Sequence, residues 1–293
     1  MAPSDPTADV QLQNWRELRC ELVWAYDGQI SERDRRLKYT GIPIPAWYLR
    51  RGHAVLEFPG RREVVPGNTW YFPPQENGWQ TFSPDAELLS VRFYAEWPTG
   101  ETLFDHTHGI SVPAAAAPAL LRVGERIARL VRRKFPEVRS EMPTMFASPE
   151  DYFEVERLLY GWLIAYTQAL TAAKQTPRTL GKLDARVRAV LHQLETRSLN
   201  QSVREAELAQ GVGLSRSQLN RLFVECMGRT PAEHWEMKRL QAAQSAIVES
   251  TQGIKAIAYN LGFSSLPHFS AWVRKRLGKS PRELRKTGIG VGV

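Results

Sequence analysis

From about Glu17 to Trp97 the chain alternates apolar and polar positions in short runs, and beyond residue 114 apolar positions recur every three or four residues. The first pattern predicts strands and the second predicts helices. The runs "CELVWAY", "AWYLRRGHAVLEF", "REVVPGNTWYFPP", "WQTF" and "ELLSVRFYAEW" are rich in Val, Leu, Tyr, Phe and Trp. Gly28, Gly52, Pro59-Gly60, Pro66-Gly67 and Asn77-Gly78 punctuate them. Short strands at this spacing predict an all-β barrel or a double-sheet jelly roll. The first ten residues are polar and proline-containing, and residues 1–16 are expected to form a mobile N-terminus.

Two helices follow. Residues 114–135 set Leu120, Leu121, Ile127, Leu130 and Val131 on one side and basic residues on the other. Residues 149–170 place Phe153, Leu158, Leu159, Trp162, Leu163 and Tyr166 at helical spacing. That apolar face is wide, so the helix packs on the sheets or pairs with its twin in a second subunit. Residues 17–170 are read as one domain, residues 171–182 as a linker containing Pro177 and Gly181, and residues 183–288 as an all-helical domain.

Within the helical domain the pattern repeats after about fifty residues. "ELAQGVGLSRSQLNRLFVECMGRTPAEHW" starts at Glu207, and "AIAYNLGFSSLPHFSAWVRKRLGKSPREL" starts at Ala256. One inserted residue after the turn aligns Gly213 with Gly262, Ser215 with Ser264, Leu219 with Phe269, Gly228 with Gly278, and Glu233 with Glu283. Each copy reads as a helix-turn-helix, at about residues 203–226 and 253–277. The helix from Pro231 to about Ser250 is long enough to be a rigid spacer between them.

Charge sharpens this picture. Residues 177–293 hold 19 Lys+Arg against 9 Asp+Glu, whereas residues 1–176 hold 20 against 22. A polyanion partner is therefore expected for the helical domain alone. Two cysteines, Cys20 and Cys226, are too few for a disulfide framework, and Cys226 falls on an apolar helix face. The N-terminus lacks a basic start and an apolar run, and no apolar stretch is long enough to span a bilayer. A cytoplasmic protein with no membrane partner is expected.

In the first copy Leu219, Leu222, Phe223 and Cys226 share a core face, and Ser217, Asn220, Arg221 and Val224 share the opposite one. Asn220 and Arg221 have the donor geometry to read adenine and guanine edges. Ser215 is a plausible N-cap whose helix start suits a phosphate. In the second copy Phe269, Trp272, Val273 and Leu277 form the core stripe, leaving Leu266, Pro267, His268 and Ala271 outward. Ala271 stands where Arg221 does and offers only methyl contact. Arg216, Ser264, Ser265, Arg274, Lys275, Arg276 and Lys279 join Ser215 as expected phosphate contacts.

Residues of about 183–286 resemble the DNA-binding domain of the AraC-type (AraC/XylS) bacterial transcription regulators. The resemblance rests on "ELAQGVGLSRSQLNRLF" and "IAYNLGFSSLPHFS…GKSPRELR". It implies two helix-turn-helix units joined by one long helix. By position it implies base contacts from Ser217, Asn220 and Arg221, and from Leu266, Pro267, His268 and Ala271. This chain departs from the family at Ala271, where Arg is common, and at Val273, where Phe is common. Promoter DNA and a second copy of the chain are the implied partners, with RNA polymerase a further one; activation and repression both stay open.

In the first half, "EVVPGNTWYFPPQENGWQTF" resembles the cupin-like sensor domain attached to many such regulators. The expected fold is thus α+β in two domains: a cupin-like β-barrel or jelly roll with helices, then an all-α domain. The histidines His53, His106 and His108 do not supply a third metal ligand at diagnostic spacing, so no metal and no cofactor are expected. An aromatic pocket for a small effector, a sugar among the candidates, is expected around Trp47, Arg51, His53, Trp70 and Trp79. The alternatives are a cupin-type enzyme fused to a DNA-binding module and an effector-independent DNA-binding protein.

Overall fold

The computed structural model describes residues 11–39, 41, 43–136, 142, 145–179, 183–249 and 252–287. Two compact units divide between Thr179 and Leu180. Of the expected mobile N-terminus, residues 1–10 lie outside the described residues. The remainder is ordered: Leu12–Trp15 forms a helical turn, α1, and the Trp15 ring centroid lies 5.5 Å from that of Trp97. The expected linker begins later than predicted, because helix continues to Ala172; residues 180–182 lie outside the described residues.

Nine strands are described: β1 Arg19–Gln29, β2 Arg36–Tyr39, β3 Ile44–Arg51, β4 His53–Phe58, β5 Arg61–Pro66, β6 Thr69–Phe72, β7 Gly78–Phe82, β8 Glu87–Glu96 and β9 Ile110–Pro113. They form two antiparallel sheets, ordered β1-β8-β3-β6-β9 and β2-β7-β4-β5. The described strands close no barrel, which corrects that half of the expectation. β1 and β9 end one sheet and β2 and β5 the other, so each sheet keeps two open edges. The sheets meet face to face at Trp47, whose ring contacts Phe82 at 5.3 Å and Tyr39 at 6.0 Å.

The other face of the five-stranded sheet is covered by α2 (Pro118–Lys134) and α3 (Pro149–Ala172). α2 starts at Pro118 rather than 114, since proline fits the first helical turn and Ala114–Ala116 forms a separate 3-10 turn. Trp162 and Tyr166 of α3 are fully buried among Trp70, Phe72, Phe93 and Phe104. α3 resolves the wide apolar face into two stripes. Leu158, Leu159, Trp162, Leu163 and Tyr166 face the sheet, while Phe153 (66% exposed), Tyr160 (55%) and Ile164 (60%) face out.

The second unit contains α4 Ala185–Thr196, α5 Glu205–Gly211, α6 Arg216–Met227, α7 Pro231–Glu249, α8 Ile254–Asn260, α9 Leu266–Leu277 and α10 Pro281–Thr287. It has two cores. One gathers Val187, Val190, Leu191 and Leu194 with Leu208, Leu219, Phe223 and Trp235. The other gathers Ala243, Ile247, Ile257, Phe263, Phe269 and Val273. Leu199 packs against both. Among the described residues no helix is long and apolar enough to cross a membrane.

One buried polar group makes the first unit sensitive to pH. His106 is fully buried, with Nε2 2.7 Å from the Tyr166 hydroxyl and Nδ1 without a partner among the described residues. Burial disfavours the charged ring and pushes its pKa down from 6.5 to about 4, against a small opposing pull from Asp105. The neutral ring's contribution to stability is complete above pH 6.5 and is lost as pH falls toward 4. Urea unfolding across that window should show up to about 3 kcal/mol of loss in the native chain that His106→Gln lacks. Equal slopes for the two proteins would refute this.

Candidate nucleic-acid interface

Local sequence sets both outward helices of the second unit. Ser215 caps α6 by accepting from the Gln218 amide at 3.2 Å, and the Gln218 carboxamide oxygen accepts from the Ser215 amide at 2.9 Å. Ser265 caps α9, accepting from the His268 amide at 3.4 Å, and Pro267 sits harmlessly in the first turn. The caps are thus Ser215 and Ser265, and the inserted residue belongs in the turn before the cap. Ser264, aligned with Ser215 by sequence, is an exposed turn residue. The turns themselves need left-handed backbone, φ +69° at Gly213 and +79° at Gly262. Gly262 is also pressed against neighbouring backbone, since an added Cβ would lie 2.6 Å from the Asn200 carbonyl oxygen.

The aligned Thr230-Pro231 and Ser280-Pro281 steps build matching starts for α7 and α10. Glu233 Oε2 accepts from the Thr230 amide at 2.8 Å, and Glu283 Oε2 from the Ser280 amide at 2.7 Å. Hydrogen bonds from the Thr230 amide and hydroxyl hold the Glu233 carboxyl below its ordinary range, and those from the Ser280 hydroxyl and amide do the same for Glu283. The Ser/Thr-Pro-x-Glu spacing is the local sequence signature of this reciprocal cap.

On α6 the exposed stripe is Ser217, Arg221 and Val224. Arg221 makes no ion pair among the described residues. Asn220 is a correction: it is half-buried, and its amide donates to Glu205 Oε2 at 3.3 Å, so it does not share that outward stripe. The same oxygen accepts from Arg216 Nε at 2.8 Å. Glu205, the buried first residue of α5, was missed by sequence reasoning because its partners lie 11 and 15 residues downstream. It fastens α5 to α6. In the second copy α8 begins with Ile254, which packs into the core instead.

On α9 Pro267, His268 and Ala271 are exposed; Leu266 is partly buried against the second core, and the His268 ring stands edge-on to Phe263 at 5.4 Å. Arg274, Lys275 and Lys279 are exposed, without ion pairs among the described residues. Arg276 is turned aside: it pairs with Glu236 of α7 at 3.0 Å and lies over Trp272.

α7 connects the two helices. Toward the first copy it presents Trp235, which enters the first core, and Lys238, which donates to the Leu194 and Glu195 carbonyls. Toward the second, Glu236 accepts from Trp272 Nε1 at 3.1 Å, and Arg239 donates to the Leu261 carbonyl at 2.6 Å while lying over Phe263. At 19 residues α7 is about 28 Å long.

In the first unit the five expected effector residues separate. Trp47 lies between the sheets, but Trp70, across the strand register at Tyr48, lies on the opposite face beneath α3. Arg51 and His53 are exposed, because the chain turns at Gly52 between them. Trp79 is 47% exposed, with Arg36 over its ring. Two buried polar residues join Trp47 instead. Ser90 is its cross-strand partner, and Gln80 lies on the facing sheet beside Phe82. Trp47 Nε1, Ser90 Oγ and Gln80 Nε2 have no hydrogen-bond partner among the described residues. Nearby, Tyr71 donates to Glu63, and burial pushes the Tyr71 hydroxyl far above its ordinary pKa. Gln80 shares the parity of Phe82 in "GWQTF", a signal that could have marked it.

Residues 208–287 match the family model described as a helix-turn-helix domain. The chain is 38% identical over 84 residues to the HTH-type transcriptional regulator ArgR of Pseudomonas aeruginosa, covering 29% of this chain and 26% of that one. It therefore spans about a quarter of that relative's length. It is 25% identical over 246 residues to the arabinose operon regulatory protein of Salmonella typhimurium, 80% of each chain. Among solved structures, a transcriptional regulator with an AraC-type DNA-binding domain from Chromobacterium violaceum is 30% identical over 36% of this chain and 92% of its own, with a TM-score of 0.32.

The turn geometry yields a graded expectation. Gly262→Ala must move backbone as well as adopt positive φ, and should cost about 2–4 kcal/mol in chemical unfolding. Gly213→Ala, with open space around it, should cost about 1–2 kcal/mol. Equal costs at the two positions would contradict the close approach at Gly262.

Proposed function

We propose, from the premise that the chain carries an AraC-type helix-turn-helix domain at its C-terminal end, that the protein regulates transcription by laying α6 and α9 in successive major-groove turns of promoter DNA. The observation that carries this reading is the pair of outward helix faces held on one α7.

On this reading Arg221 supplies the main hydrogen-bonded base contact, with Ser217 beside it, and Asn220 joins only if Glu205 releases it. Leu266, Pro267, His268 and Ala271 offer shape and methyl contact. Ser215, Ser264, Ser265, Arg274, Lys275 and Lys279 contact phosphates; Arg276 steadies α9 instead, and Arg216 joins only if Glu205 releases it. The departure of Ala271 from the family pattern makes the first copy the more selective reader.

The first unit is assigned to sensing and dimerisation. A cupin-like double sheet with unpartnered polar atoms on both facing surfaces, Trp47 Nε1 and Ser90 Oγ on one and Gln80 Nε2 on the other, suits a small hydroxyl-bearing effector such as a sugar. The similarity to the arabinose operon regulatory protein of Salmonella typhimurium extends over 80% of the chain and so reaches into this unit. The exposed Phe153, Tyr160 and Ile164 stripe of α3, at helical spacing, suits pairing with a second copy.

Selection of binding sites from random duplexes tests the DNA reading. Arg221→Ala should relax the preference at one base pair, by about 1–3 kcal/mol of discrimination. Lys275→Ala should weaken binding to every sequence alike and lower the salt slope by about one. Identical, sequence-independent losses from both would defeat the assignment. For the dimer, Ile164→Lys should halve the mass seen in sedimentation while leaving the unfolding midpoint near its native value, since the side chain is 60% exposed. An unchanged mass would move the interface elsewhere.

A further inference from the structure

α2 carries a row of arginines that neither the helix-turn-helix surface nor the inter-sheet interior uses. Arg122, Arg126, Arg129 and Arg133 recur at helical spacing on its exposed side. Arg132 lies beside them, and α3 presents Arg157 across the gap. Between the two helices Arg126, Arg129, Arg132, Arg133 and Arg157 line a furrow of about 470 Å³, with Leu130 and Leu158 as its apolar floor.

The charges in the furrow do not balance. Glu154 is its one lining carboxylate and sits 3.4 Å from Arg133. Asp151 is engaged by Lys134 at 2.8 Å. Arg126, Arg129, Arg132 and Arg157 are exposed, with no ion pair among the described residues. Like charges three and four residues apart repel one another. A helix C-terminus favours cations in its last turn, which accounts for Arg132, Arg133 and Lys134. It does not account for Arg126 and Arg129, or for Arg157 on the other helix. Nor is the patch a spillover of overall basicity, because residues 1–176 hold more Asp+Glu than Lys+Arg.

The geometry points to a binding site for a small polyphosphorylated anion in this furrow. Guanidinium groups from two helices converge on one volume, and each presents paired N–H donors that match phosphate oxygens bidentately. The volume lies within the range of small-molecule sites. The Leu130 and Leu158 floor suits the ring of a nucleotide, while the phosphates meet the arginines. This inference is independent of the DNA reading, and either can fail without the other.

Calorimetric titration of the full-length protein, without DNA, tests it with ATP and inorganic tripolyphosphate as probes. One site per chain is expected for each probe, weakening as salt rises. Arg129→Gln/Arg157→Gln should lower affinity about tenfold or more, and Arg129→Lys/Arg157→Lys, which keeps charge without the fork, by less. Circular dichroism checks that these exposed substitutions leave the fold intact. Arg274→Gln/Lys275→Gln in the other unit should leave the furrow site within about twofold of native. Tighter ATP than tripolyphosphate binding adds the floor to the site; equal binding assigns it to the arginines alone. The proposal is overturned if neither probe binds, if the furrow pair binds as tightly as the native chain, or if only the Arg274/Lys275 pair loses binding. It is equally overturned if the furrow pair changes the sedimentation mass but not probe affinity, which would give the furrow to a second copy.

Discussion

Glu236 and Arg239, one turn apart on α7, fasten the second helix-turn-helix to the helix on which the first is packed. Glu236 takes hydrogen bonds or charge from Trp272 and Arg276 of α9, and Arg239 closes on the Leu261 carbonyl beneath Phe263. Trp235, immediately before Glu236 in sequence, is already committed to the first core. Two cores that would otherwise be separate modules thereby share one rod, and Leu199 packs against both. The spacing of the two outward faces is then a property of helix geometry rather than of a linker. These contacts matter more for placement than for bulk stability, because charge-assisted hydrogen bonds are directional.

The two helix-turn-helix copies share a scaffold and differ in what they hold in reserve. In the first, Glu205 gathers Arg216 and Asn220 and leaves Arg221 exposed. In the second, Ile254 replaces the carboxylate, and the outward turn is Pro267, His268 and Ala271. A buried carboxylate needs its donors, since an unpaired charge at that depth is costly. The first copy therefore holds back polar groups that the second never had.

Much of the second unit was legible because its signals are local. The glycines of the turns, the Ser caps and the apolar spacing of Leu219, Phe223, Phe269 and Val273 all act within one helical turn. What escaped depends on distance or register. Asn220 reads as an outward base reader until Glu205, fifteen residues earlier, is folded against it. The inserted residue lies in the turn because Ser265, not Ser264, accepts from the His268 amide, a distinction two adjacent serines do not make in sequence. In the first unit Trp47 and Trp70 look equivalent in sequence, yet strand pairing sets Trp70 opposite Tyr48 and sends the two indoles to opposite faces. The edge strands β2 and β9 alternate buried and exposed residues, but at four residues each the alternation is too brief to mark a strand by itself. The barrel expectation failed for a related reason, since closure depends on which edges pair and no local pattern encodes that.

On the proposed function α7 holds α6 and α9 at one unyielding separation on the duplex. Inserting half a helical turn, about five base pairs, between the two protected groove segments of a selected binding site measures this most directly. A rigid α7 predicts that affinity falls to that of unrelated DNA. Binding that survives the insertion at near its original strength, with both segments still protected, would contradict it.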